Sequence, residues 1–533
     1  MSDTMSRPMR FGSNSGQPLT RRDGLAKVTG TATFAADNHP RNLLYAVCLP
    51  ATIARGRVAH LDVAAAEAHP GVSHVMTPQN RPPLQGDPSE KPTMFSFRIE
   101  VLQDDTVRYA GQPIAMVLGE TIEAATEGAR LLNPRYETMT PRIALDQNEP
   151  EALEPGALGR PADVEHGDMQ TARNSAAQGI DVTYETAPQY HNAMETHAVV
   201  AQWDGDRLIL DMPSQALVLS CAGYAHFFGI PAGNVTLRSP FLGGGFGSKA
   251  IPTGPQVLAI LAARMTGRPV KLMLTRQQMF GPVGHRGATR QRLRLGTDDA
   301  AALSFIDHEG VSETSSFDDF LEPAANASQG LYAAQALRST HRGVRLDVGT
   351  PSPMRAPGEA SGSAALECAM DEMAEATGLD PLEFRLRNYA ETEPGTGKPY
   401  SSKALRECYA EGARRFGWSR RPLAPRQMQD ADGMLVGWGM GTALFPCPMF
   451  AADARATLRA DGTALFETSA ADMGQGAWTA LAQIAADSLG LPIEKIEFRS
   501  GNSTLPDGGI AGGSGHTATA GSALDASGRD VIR

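Results

Sequence analysis

The chain has 533 residues, too many for one hydrophobic core, so two or more domains are expected. Its 41% apolar and 20% charged residues suit a globular protein, and 55 glycines with 37 prolines, set without a strict period, suit many sharp loops rather than a fibre. The formal charge of −11 with no basic run argues against nucleic acid as a partner, and the lack of any apolar run of about 18 residues argues against a membrane span.

The first twenty residues are polar and hold no signal-peptide core; Arg21-Arg22 is followed by Asp23, Gly24 and Lys27 rather than an apolar stretch. The expected location is the cytoplasm, although export alongside a signal-bearing partner would leave no mark here. The cysteines, Cys48, Cys221, Cys368, Cys408 and Cys447, lie far apart. Without a C-x-x-C pair they write neither a zinc nor an iron–sulfur site, and each is expected to be a small buried side chain.

Residues 20–145 read as one unit of mixed strands and helices. Leu43–Leu49 is a strand candidate, Val58–Ala68 joins a strand to a helical alanine run, and Thr106–Leu118 reads as two strands about the turn Gly111-Gln112-Pro113. Ala125, Ala129 and Leu132 give Ile122–Asn133 a helical period, which Pro134 stops. Residues 146–180, rich in Pro, Gly, Glu and Asn, read as a linker. From Val182 onward strands and helices alternate. Val199–Met212 is a hairpin about Asp204-Gly205-Asp206, and Pro255–Thr266 is a helix closed by Gly267. Ser361–Gly378 is a longer helix with a stripe at Ala365, Cys368, Met373 and Ala374, and Asp380-Pro381 opens a short one through Asn388. Residues 391–430 are polar and carry one helix, Lys403–Phe416. Between Leu435 and Arg533, Thr479–Leu489 is a helix stopped by Gly490. Ser522–Arg533 begins another without a stop signal, so a truncated chain is expected.

Several common motifs are excluded. There is no H-E-x-x-H, no G-x-S-x-G and no G-x-G-x-x-G. Gly243–Lys249 (GGGFGSK) fails as a P-loop, because Ser248 precedes Lys249 and Ala250 follows it. Three glycine-rich loops remain: Leu242–Lys249 (LGGGFGSK), Asp472–Gly476 (DMGQG) and Gly508–Ala518 (GGIAGGSGHTA). Glycine lets backbone approach a ligand and take positive φ, and a helix soon after each loop favours an anion at its N-terminus. One such loop reads more readily as a tight turn. Three in one chain point to a large anionic ligand contacted from several sides.

The order of motifs carries a resemblance. DGLAKVTGTATFAAD (Asp23–Asp37) looks like an opening strand, followed by VRYAGQPIAMVL (Val107–Leu118) and HNAMETHA (His191–Ala198), where Thr196 stands in place of the proline of a Glu-Pro-His signature. Then come NVTLRSPFLGGGFGSK (Asn234–Lys249), TGRPVKLMLTR (Thr266–Arg276), PMRAPGEASG (Pro353–Gly362), LDPLEFRLRN (Leu379–Asn388), DMGQG and GGSG. Over residues 20–533 this series resembles the large subunit of the xanthine dehydrogenase/aldehyde oxidase family. The resemblance implies an α+β fold. It would comprise a hammerhead-like α/β domain at 20–145, a linker at 146–180, a first molybdopterin-binding domain at 181–390, and a second at 391–533, incomplete at its C-terminus.

It also implies a molybdenum–molybdopterin cytosine dinucleotide. The metal takes sulfur from the pterin, so no direct protein ligand is expected. [2Fe-2S] clusters and FAD would lie only on an iron–sulfur small subunit and an FAD-binding medium subunit. Gln215 matches a glutamine near the molybdenum oxygens, and Gly245, Phe246 and Gly247 match the loop beside the metal. Arg355 matches an arginine close to the cofactor. Gly474, Gln475 and Gly476 match a pterin-binding loop, and Ser514, Gly515 and His516 fall in a loop meeting the pterin and its phosphates. The family hydroxylates carbon with water as the oxygen source and a glutamate as base. That glutamate is expected beyond Arg533, so no catalytic residue is assigned and the chain alone is expected not to turn over. Ala250 stands where purine-oxidising members place a glutamate, and Met354–Gly358 (MRAPG) is closer to aldehyde-oxidising members. The resemblance thus implies aldehyde substrates, with aromatic N-heterocycles second and a non-catalytic scaffold as the alternative class. Taken alone, Gln215 could be a surface glutamine, Arg355 could pair with Glu359, His191 and His197 could be structural, and Glu195 could be a buried carboxylate.

Overall fold

The computed structural model describes residues 14–87, 90, 97–146, 150–151, 153, 161 and 163–533. Strand Leu44–Pro50 alternates buried and half-buried residues, with Leu44, Ala46 and Cys48 turned into the core. It pairs antiparallel with Pro113–Gly119 on one edge and parallel with Val270–Met273 on the other. The N-terminal unit therefore shares a sheet with the region that follows. Its seven strands run in the order Val235–Arg238, Arg207–Asp211, Ala198–Asp204, Val270–Met273, Leu44–Pro50, Pro113–Gly119, Val72–Met76. Pro113–Gly119 is buried along its whole length because both sheet faces are covered. Ala115 and Val117 pack on Ala129 and Leu132, while Met116 and Leu118 join the large cluster that includes Val257–Ala263.

A second sheet has the order Val164–His166, Ala336–Leu346, Leu303–Ser315, Thr289–Thr297, Gln178–Thr186, and helix Glu359–Thr377 packs on it. The stretch 146–180 is thus not a plain linker. Its residues 147–149, 152, 154–160 and 162 lie outside the described residues, but the rest holds strand Val164–His166 and helix Met169–Asn174. Asp168 caps that helix, and Met169 and Ala172 bury against Phe305 and Ala336. Two buried side chains anchor the segment, too few to register in composition. A third sheet, Arg455–Leu458, Ala464–Glu467 and Ile496–Arg499, shares its core with helices Ala477–Leu489 and His516–Ile532. The architecture is α+β, as expected.

Three further expectations change. Asp23–Asp37 holds no strand: Gly24–Val28 is a short helix and Ala35–Asp37 a 3-10 turn. Asp23 receives Arg21 and, one turn on, Lys27, which favours the coil of the helix over extension. Of the cysteines, only Cys48 and Cys221 are buried. Cys368 turns away from the buried face of its helix made by Ala365, Ala369 and Met373. The helix expected from Ser522 begins earlier, at His516. Among the described residues no helix is long and apolar enough to cross a membrane.

Candidate cofactor site

Gln215 sits just before helix Leu217–Phe228 and is 2% exposed, so it is no surface glutamine. Its Oε1 accepts from Gly247 N at 2.9 Å and its Nε2 donates to Ala511 O at 2.8 Å. Its backbone N donates to Lys249 O. One residue thus ties the 242–249 loop to the 508–518 loop. A Cβ at Gly245 would lie 2.3 Å from Gln215 Oε1, so a side chain there would push the Gln215 amide aside. Gly247 has φ +117°, and its Cβ would lie 2.0 Å from Pro353 O. Between them Phe246 takes φ 58°, rare for an aromatic residue, and its ring is partly exposed.

Behind this loop Lys249 is fully buried. Its Nζ donates to Glu195 Oε2 at 2.8 Å and Glu195 O at 2.9 Å, and Gly243 N donates to the same carboxylate at 2.9 Å. Burial pulls the Lys249 ammonium below its usual range, and Glu195 counters that pull. His197 Nε2 lies 3.2 Å from Ser248 Oγ, and burial holds His197 well below the ordinary histidine range. His191 Nε2 lies 2.9 Å from Pro353 O. His191 thus holds backbone, and His197 a loop side chain.

The arginine loop joins through the main chain: Arg355 N donates to Phe246 O at 2.9 Å. Arg286 donates to Met354 O, and its guanidinium lies 3.2 Å from buried Glu322, which accepts from Gly358 N and Ser361 Oγ. The Arg355 side chain is exposed.

Asp472 organises the next loop. Its Oδ1 accepts from Gly474 N at 2.8 Å, its Oδ2 from Trp478 N at 3.2 Å, and its carbonyl from Leu242 N at 3.1 Å. Gln475 Nε2 lies 3.3 Å from His516 Nδ1, linking this loop to the last one. There Ser514 has φ 54°, and Gly515 admits no side chain because a Cβ would lie 1.8 Å from Pro448 O. The residues expected to form one site, Gln215, Gly245, Phe246, Gly247, Arg355, Gly474, Gln475, Gly476, Ser514, Gly515 and His516, therefore lie on loops bonded to one another. Sequence reasoning gave no role of their own to Asp472 and Lys249, although both stand inside motifs it singled out. Asp472 heads the DMGQG motif and was legible only as its flank.

Residues 152–389 and 411–533 each match the model of a molybdopterin cofactor-binding domain, and residues 29–140 match the aldehyde oxidase and xanthine dehydrogenase a/b hammerhead domain. The chain is 37% identical over 504 residues to the aldehyde oxidoreductase molybdenum-binding subunit PaoC of Escherichia coli (strain K12), covering 94% of this chain and 67% of PaoC. The chain belongs to the xanthine dehydrogenase/aldehyde oxidoreductase family of molybdopterin-binding large subunits. It is also 27% identical over 514 residues to the putative xanthine dehydrogenase molybdenum-binding subunit XdhA of the same organism, covering 91% of this chain and 67% of XdhA. The aldehyde oxidoreductase from Desulfovibrio gigas shares the fold, with a TM-score of 0.82 at 23% identity, over 97% of this chain and 60% of that one.

As a large subunit of this family, a molybdenum hydroxylase family, the chain has loops that suit the cofactor. His516 is 6% exposed, yet its Nε2 has no hydrogen-bond partner among the described residues. Burial, partly offset by Asp472, holds this imidazole down to about 4, so it stays neutral and can offer one nitrogen as donor or acceptor. A Cβ at Gly474 or Gly476 would meet nothing within 4 Å, so the loop presents bare backbone. Helix His516–Ile532 starts at the last loop with no side-chain cap, and its first turn offers N–H groups without intrahelical acceptors, whereas Asp472 already caps the start of Ala477–Leu489 at Trp478 N. An orphaned buried nitrogen, open glycines and one uncapped helix N-terminus fit a pterin bearing phosphate.

Proposed function

We propose that the chain is the cofactor-binding part of a hydroxylase that oxidises apolar or aromatic aldehydes to carboxylic acids with water as oxygen source. Its cofactor would be a molybdenum–molybdopterin cytosine dinucleotide, and electrons would leave to iron–sulfur and FAD subunits. The observation that carries this reading is the surround of Gln215. Ala216, next to it in the chain, and Ala250 and Ile510, next to its partners Lys249 and Ala511, share one apolar cluster with Ile251, Phe97 and Phe320. Ala250 brings no charge to the position where purine recognition would use a carboxylate. The 37% identity to PaoC, an aldehyde oxidoreductase subunit by name, supports the same substrate class.

When bound, the cofactor supplies the two-electron redox chemistry and the activated oxygen. The chain's own residues position it. Gln215 orients its amide between the 242–249 and 508–518 loops. Gly245, Phe246 and Gly247 would bring backbone close to the metal, and Gly474–Gly476 with Ser514–His516 would hold the pterin. Arg355 offers an exposed cation for an anionic part of the cofactor. The carboxylates bonded to these loops, Glu195 and Asp472, are engaged in holding Lys249 and backbone N–H groups, so neither is proposed as general base.

The test is to express the chain with its neighbouring genes, then measure molybdenum, pterin and released cytidine phosphate. Turnover of benzaldehyde, xanthine and a quinoline-type heterocycle is compared in the assembled complex. Near-stoichiometric molybdenum with benzaldehyde fastest supports the proposal. Faster xanthine or heterocycle turnover overturns the aldehyde assignment, and metal-free protein favours a scaffold.

A further inference from the structure

Residues 14–28 lie outside the three matched family regions, yet several of them are bonded into the cofactor loops and the helix beside them. Asn14 N and Nδ2 both donate to Asp487 Oδ1, and Ser15 N donates to Asp487 Oδ2 at 2.8 Å. Arg22 N donates to Thr479 Oγ1 at 3.0 Å, and Arg22 Nη2 to Ile496 O at 2.8 Å. Residues 14–22 are thus strapped to helix Ala477–Leu489 and the strand beside it.

Where this arm ends, it meets the 472–476 loop. Arg21 Nη1 donates to Gly474 O at 3.0 Å, and its Nη2 pairs with Asp23 at 2.8 Å. Lys27 Nζ also bonds Asp23. Arg21 Nη2 and Lys27 Nζ each stand 3.8 Å from Asp472 Oδ1. The side chains of Asp23 and Asp472 are 2% and 1% exposed, so two buried acids share the same two cations. Burial alone would raise Asp23, but hydrogen bonds from Arg21 and Lys27 outweigh it and hold the group down to about 2. Buried carboxylates need such compensation. Asp472 in turn accepts from Gly474 N and Trp478 N, which sets the loop. Lys27 also lies 5.3 Å above the ring of Phe241, next to Leu242 of the first glycine loop.

We propose that Arg21, braced by Asp23 and Lys27, is a positioning residue for the cofactor: it sets the Met473–Gly476 loop from outside the cofactor-binding domains. This rests on the reading of that loop as the pterin-contacting one. Arg21 holds the loop at two points, its first residue through the carboxylate of Asp472 and its middle through the carbonyl of Gly474. Arg22 is the natural control, because it fastens the same arm to the same domain without touching the loop.

The experiment compares wild type, Arg21→Ala, Arg21→Lys and Arg22→Ala in the assembled complex. It reads amide exchange at residues 473–477, and the rate at which molybdenum and pterin are lost on dialysis. Arg21→Ala is expected to raise both by about tenfold, the size of one lost charge-assisted hydrogen bond. Arg21→Lys is expected to recover part of the loss, and Arg22→Ala to leave exchange at 473–477 unchanged even where it lowers Tm. Equal effects of Arg21→Ala and Arg22→Ala, or unchanged exchange in Arg21→Ala, would overturn the proposal. Wild-type complex without molybdenum or pterin refutes the cofactor reading of the loop. The exchange comparison still decides whether Arg21 sets its shape.

Discussion

Gln215 and Ala511 are joined by two hydrogen bonds of 2.8 Å, one from the Gln215 side-chain amide to the Ala511 carbonyl and one from Ala511 N to the Gln215 carbonyl. Gln215→Ala removes the first and the side-chain acceptor of Gly247 N, leaving the buried Ala511 carbonyl with one bond fewer. A loss of about 1–3 kcal/mol is expected for the unpaired group, with a larger fall in bound molybdenum than in Tm. Urea unfolding and elemental analysis of the same preparation measure both. Unchanged molybdenum content would count against the role given to Gln215.

Two glycines of the site separate space from backbone strain. A Cβ at Gly515 would lie 1.8 Å from Pro448 O, so Gly515→Ala must move one loop off the other. A Cβ at Gly474 would meet open space, and only its φ of +106° opposes a side chain. Gly474→Ala is therefore expected to cost about 1–2 kcal/mol and keep the fold. Gly515→Ala is expected to lower Tm more and to lose the pterin. Thermal unfolding with pterin fluorescence ranks the two.

Lys249 and Glu195 form a buried ion pair whose removal from one side is worse than from both. Lys249→Met leaves a carboxylate 14% exposed without its cation, an expected cost of about 3–5 kcal/mol. The double variant Lys249→Met/Glu195→Gln keeps an acceptor for Gly243 N and removes the stranded charge. It is expected to be more stable than the single variant in chemical denaturation.

Acid should destabilise the second sheet through His308. This residue is buried, 2.8 Å from Ser328 Oγ and 3.1 Å from Gln291 Oε1, and burial holds it down to about 3 against an ordinary 6.5. Between these values the unfolded chain binds a proton that the folded chain does not. Stability is therefore fully present above pH 6.5 and falls as the pH drops towards 3, by up to ~1.4 kcal/mol per pH unit for one such group. His308→Asn should flatten this part of the stability curve between pH 6.5 and 4. An unchanged slope would assign the acid loss elsewhere.

Much of the local structure was legible because single residues settle it. Gly267, Gly378 and Gly490 each close a helix in the left-handed conformation, where they were expected to. Asp204-Gly205-Asp206 turns the hairpin between Ala198–Asp204 and Arg207–Asp211. The glycine loops were legible as motifs, but their contact with one another was not. It depends on Gln215, Asp472 and Gln475, whose bonds reach across the fold. The strand that the resemblance suggested at Asp23–Asp37 gives way at its start to helix Gly24–Val28, where two side-chain ion pairs to Asp23 favour the coil. Parallel pairing of Leu44–Pro50 with Val270–Met273 leaves no local signal at either partner.

That last pairing bears on synthesis. As the chain leaves the ribosome, Leu44–Pro50 can meet Pro113–Gly119 early, but its other edge must wait for Val270–Met273, roughly two hundred residues later. At roughly 5–20 residues per second the wait is on the order of ten seconds or more. Throughout it, an apolar strand offers unpaired N–H and C=O groups to any neighbouring nascent chain. Chaperone dependence during expression, eased by slower translation at lower temperature, would be the practical outcome of one sheet being built from two distant parts of the sequence.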